Sequence, residues 1–98
     1  MRVVGKTEAG ESVVDGVFSL YDTSGLPLAV VLDGLRRRGF VASVPHLYRE
    51  AREAGWKHKT IRARFSEAYA DAMGPAAVER VGYVLEALRG LYEDLDGD

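Results

Sequence analysis

No cysteine occurs anywhere in the chain, which excludes a disulfide framework and a thiolate metal site. Long apolar runs are missing too. The longest, LAVVL at 28–32, falls far short of the roughly 20 residues that span a bilayer. The opening stretch, MRVVGKTEAGES, lacks the apolar segment of a signal peptide, so a cytoplasmic location and no membrane partner are expected. Histidine is scarce. His46 and His58 are separated by 12 positions, without HExxH spacing, and no metal site is expected. Neither a G-x-x-x-x-G-K-[ST] loop nor a GxGxxG motif is present, so no nucleotide or other cofactor is expected. A binding module is therefore expected rather than an enzyme.

What remains has the composition of a folded domain. Of 98 residues, 47% are hydrophobic and 29% charged, with a formal net charge of −2. Disordered chains combine low hydrophobicity with high net charge, and this one has neither. The length suits one domain with one core, 1–98. The small net charge conceals an uneven distribution. Residues 1–34 hold two basic against five acidic side chains, 35–64 hold nine against two, and 65–98 hold two against eight. A basic block of this kind points to a nucleic-acid partner. Internal compensation, with the acidic end packed beside the basic middle, is the competing explanation.

The pattern predicts an α+β, mainly helical fold: an N-terminal β-hairpin over 1–21, then three or four packed helices over 24–95, and a frayed tail at 96–98. Asp15-Gly16 between VV and VF is a hairpin signal, and an earlier turn around Glu8-Ala9-Gly10 would make the segment 2–21 a hairpin or a short three-stranded meander. Asp22, Thr23 and Ser24 offer N-caps, and Pro27 suits a first helical turn. Leu28, Val31, Leu32 and Leu35 follow at helical spacing up to Gly39. Ser43 and Pro45 mark the next helix, with Leu47, Tyr48, Ala51 and Ala54 on one face and Gly55 at its end. Ile61, Phe65, Ala68, Tyr69, Ala72 and Met73 stripe a third helix. After Gly74-Pro75, Val78, Val81, Leu85, Leu88, Tyr92 and Leu95 stripe the last. Gly82 and Gly90 there mark either a close helix approach or an end near Gly90.

Residues 47–66, LYREAREAGWKHKTIRARFS, carry the most specific pattern. Ala51, Gly55 and Ile61 are spaced as a small residue, a turn glycine and a branched anchor. The stretch resembles the helix-turn-helix of bacterial and phage DNA-binding proteins. That resemblance makes Ala51, Gly55, Trp56 and Ile61 structural. It turns Lys57, His58, Lys59, Arg62 and Ser66 toward a groove, with Arg49, Arg52 and Arg64 adding positive charge. The implied function is a DNA-binding regulatory module, DNA being favoured over RNA, with a homodimer as the assembly that reads two half-sites. Two positions depart from the family pattern, since Glu50 and Arg64 stand where apolar residues are usual.

A second stretch, LYDTSGLPLAVVLDGLRRRGF at 20–40, resembles the LYDTxGxPL segment of alanyl-tRNA synthetases. That segment belongs to a large catalytic core for which this chain has no room, so aminoacylation is not implied, while an RNA-binding alternative is. A further alternative comes from the acidic end. There the protein would be a small phage-type inhibitor or adaptor, docking residues 79–98 on a basic protein surface. Exposed and coplanar Lys57, Lys59, Arg62 and Arg64 favour nucleic acid. Their pairing with Glu67, Asp71 and Glu79 would count against it.

Overall fold

The computed structural model describes residues 1–96, with side chains described through Tyr92. Strand β1 (Val3–Lys6) pairs antiparallel with β2 (Ser12–Val14), with a bulge between Val3 and Gly5. The turn joining them is the earlier of the two expected. Gly10 takes φ +87°, and Thr7 N–H donates to the Glu11 carbonyl at 2.9 Å. The Thr7 hydroxyl accepts from Glu11 N–H at 3.1 Å.

Asp15-Gly16 is not a hairpin turn. Gly16 does adopt the left-handed conformation, φ +73°, but it opens helix α1 (Val17–Ser24). An Asp-Gly pair supplies that backbone geometry to a turn or a helix entry alike, so local chemistry does not choose. Tertiary contacts choose here. Consecutive Val17 and Phe18 are both buried, which a two-residue alternation forbids. The Glu50 carboxylate, far along the chain, accepts from Gly16 N–H at 3.0 Å and Phe18 N–H at 3.4 Å. It thus serves as the N-terminal cap that α1 lacks from its own side chains.

Consequently Asp22, Thr23 and Ser24 close α1 rather than capping the next helix. Pro27 immediately precedes α2 (Leu28–Arg37), whose buried face is Leu28, Val31, Leu32 and Leu35, as the spacing predicts. The 20–40 segment is therefore a helix–loop–helix entering a strand. That strand, β3 (Phe40–Ala42), lies parallel to β2, with Ser12 opposite Phe40 and Val14 opposite Ala42. The sheet order is β1-β2-β3, and α1 and α2 form the crossover between its parallel strands.

Ser43 caps α3 (Val44–Glu53) by accepting from His46 N–H, with Pro45 in the first turn. Helix α4 (His58–Met73) follows after Gly55, and α5 (Pro75–Asp96) after Gly74. Among the described residues five helices thus stand where three or four were expected, the addition being α1. Helix α5 runs unbroken through Gly82 and Gly90 and includes Asp96, while the rest of the expected frayed tail lies outside the described residues.

One hydrophobic cluster joins these elements. Leu47, Tyr48 and Ala51 of α3, Ile61 and Phe65 of α4, and Leu85 of α5 are fully buried at its centre. Each large aliphatic or aromatic side chain placed there contributes about 1.5–3 kcal/mol of transfer free energy. Helix α4 packs against both α2 and α5, leaving one long face open to solvent.

Candidate nucleic-acid interface

The α3–turn–α4 unit is held by the residues singled out for it. Ala51 is fully buried, and its carbonyl accepts from Trp56 N–H at 3.0 Å. Gly55 takes φ +96°, a conformation costly for a residue with a Cβ. Ile61, one turn into α4, is fully buried. Trp56 is half-buried and meets Phe18 edge-on at 5.2 Å between ring centroids, with Tyr21 and Phe65 also in contact. It belongs to an aromatic cluster that seals the turn against α1. Glu50 spends its charge on the α1 cap.

The expected cationic site residues other than His58 divide into three groups. Lys57, Lys59, Arg64 and Arg49 are exposed, and among the described residues none of them forms an ion pair. Arg62 is also exposed but is bound to Glu86 of α5. Arg52 is partly buried, its guanidinium 5.9 Å from the centroid of the Tyr92 ring, a cation–π contact.

His58 is a correction. Expected to face a groove, it is 8% exposed. Its Nδ1 lies 3.1 Å from the Tyr48 hydroxyl, and its Nε2 lies 2.9 Å from Glu86 Oε2. As the first residue of α4 it shares the inward stripe with Ile61 and Phe65, which sends the imidazole between α3 and α5. The hydrogen bond from His58 and those from Arg62, outweighing desolvation, hold the Glu86 carboxyl below the usual glutamate value. Burial pushes the Tyr48 phenol upward.

Nor are the cations coplanar. At 100° per residue, Lys59 and Arg62 lie about 60° apart around α4, whereas Arg64 lies about 140° from Lys59. Lys59 and Arg62 line an open cleft of about 470 Å³ between α4 and α5, together with His58, Glu86 and Arg89. Arg64 lines a different hollow of about 160 Å³, facing α1 and α2, with Tyr21, Glu67 and Asp71. Exposed Ala63 lies between Arg62 and Arg64 around the helix and also lines the α4–α5 cleft. Pairing of the α4 cations with Glu67, Asp71 or Glu79 is absent among the described residues.

Glu86 and Arg89 were not expected to belong to this region, and Tyr48 was expected only as a core residue of α3. Glu86 stands 28 positions from His58, beyond any local spacing rule. Only the adjacent Glu86 and Arg89, at i and i+3 on one helix, left a trace in the sequence.

No group of three or more potential metal ligands occurs among the described residues, and no described helix is long and apolar enough to cross a membrane. Comparison with protein-family models, curated proteins and solved structures finds no match.

Proposed function

We propose that this protein is a nucleic-acid-binding module, with duplex DNA as its target, that presents the N-terminal half of α4 to a groove. The observation that carries the reading is the set of exposed cations, without an ion pair among the described residues, on and beside a helix that follows a tight glycine turn. Lys57 and Lys59 stand at the start of α4, Arg64 one turn on, and Arg49 on α3. The N-terminal end of a second helix is also where helix-turn-helix proteins touch base edges. Ala63 leaves the middle of the face low enough for close approach. Beyond Ser66 the exposed side chains include Glu67 and Asp71, which repel phosphate, so contact is confined to the first two turns.

Fluorescence anisotropy with labelled duplex DNA, single-stranded DNA and tRNA, titrated at several salt concentrations, tests this. The wild type binds duplex in the micromolar range or tighter at low salt, with a steep salt dependence. Lys57→Ala with Lys59→Ala weakens it and flattens the slope of log K against log salt by about 1.8, at about 0.9 per lost phosphate contact. Preference for tRNA would redirect the reading to RNA. No binding to any of the three would leave the acidic C-terminal segment, 79–98, and a protein partner as the remaining reading.

A further inference from the structure

We propose that the cleft between α4 and α5 is a phosphate-binding site, formed by Lys59, Arg62 and Arg89, in which the chain's own Glu86 carboxylate takes the place a backbone phosphate would fill. The proposal rests on the DNA-binding reading and extends it to a second helix.

Two arginines meet one carboxylate here, and a lysine lines the same cleft. Arg62 donates to Glu86 Oε2, and Arg89 Nη1 lies 3.7 Å from Glu86 Oε1. Lys59 lines the same cleft and has no acidic partner among the described residues. The cleft therefore holds an excess of positive charge even with Glu86 in place. It is also accessible, since Arg62, Glu86 and Arg89 are 45%, 44% and 46% exposed. A pair serving the core alone would be enclosed. Arg62 approaches α5 closely at Gly82, where a Cβ would lie 3.4 Å from a guanidinium nitrogen. A guanidinium has five donors in a fork that matches phosphate as well as carboxylate, and one contact to Glu86 leaves most of them available. Position fits the geometry as well. Lys59 and Arg62 lie on the α5 flank of the α4 face and Arg64 on the opposite flank. A helix set in a major groove has one phosphate backbone on either side of it.

Glu86 is then an internal competitor that lowers affinity, and Arg89 is a contact from outside the α3–α4 unit. Both are testable by salt titrations of duplex binding with wild type, Arg89→Ala, Glu86→Gln and Glu79→Gln. Arg89→Ala weakens binding and lowers the magnitude of the salt slope by about 0.9. Glu86→Gln, which retains an acceptor for His58, tightens binding severalfold. Glu79→Gln removes the same charge elsewhere on α5 and has a smaller effect. Wild-type binding that neither Arg89→Ala nor Glu86→Gln alters would overturn the cleft while leaving the DNA-binding reading intact. Equal gains from Glu86→Gln and Glu79→Gln would reduce Glu86 to bulk charge and overturn the competitor. Absence of wild-type binding at low salt would overturn both the reading and the cleft. Should Glu86→Gln fail to fold, Arg89→Ala still decides the cleft.

Discussion

The two flanks of α4 carry similar cations in different company. On the α5 flank, Arg62 is tied to Glu86, and Glu86 to His58, and His58 touches the fully buried Tyr48 hydroxyl. A polar path thus runs from the surface into the core. On the opposite flank Arg64 stands exposed beside Glu67 and Asp71 without forming an ion pair to either. The difference shows how one helix divides its charges between holding the fold and facing solvent. Cations near a buried polar group are drawn into its network, because an unsatisfied buried partner costs more than a solvated surface charge.

The sharpest way to break this contrast is to remove the link between core and surface. His58→Ala strips partners from both Tyr48 and Glu86 and leaves a gap between α3, α4 and α5; it costs about 2–3 kcal/mol of unfolding free energy, read by urea denaturation. A loss under about 0.5 kcal/mol would show that the network is incidental to stability. Next comes Glu50→Ala, which removes the cap on α1 and costs about 1 kcal/mol by the same assay. Arg64→Ala, on the unpaired flank, stays within about 0.5 kcal/mol of wild type.

Acid separates the flanks in another way. The Glu86 carboxyl is held below its ordinary value of 4.5, so its contribution is present above that value and is lost as pH falls through its lower, folded-state value. In Glu86→Gln the decline in stability below about pH 4.5 is shallower than in wild type, whereas Arg64→Ala declines in parallel with wild type. Thermal melts at a series of pH values give both curves, and superimposable curves for Glu86→Gln and wild type would remove Glu86 from the acid response.

How much of this was legible in the sequence follows the range of the interactions. Helices α2 to α5 were readable because their stripes, glycine stops and Ser43 cap act within a turn or two, and the burial of Leu28, Val31, Leu32 and Leu35 agrees with the spacing. The region around Gly16 was misread because the deciding contact comes from Glu50, 34 positions away. Strand β3 has three residues, too few to establish a period, and its pairing with β2 depends on a two-helix crossover. Within the candidate site, the structural positions Ala51, Gly55 and Ile61 were local and readable. His58 was misplaced because a histidine one step before an amphipathic stripe reads as polar surface, while its partners sit 10 positions back and 28 ahead. The second departure from the helix-turn-helix pattern, Arg64, is exposed on the helix flank and needs no apolar environment.

Contact between the N-terminal half of α4 and duplex DNA is read most directly by titrating the ¹⁵N-labelled protein with a short duplex and following amide chemical-shift changes. Perturbations concentrate at residues 57–64, with a second group around Glu86 and Arg89, and fade as salt is raised. Shifts confined to the exposed side of α5 around Glu79 and Tyr83, or none at low salt, would contradict it.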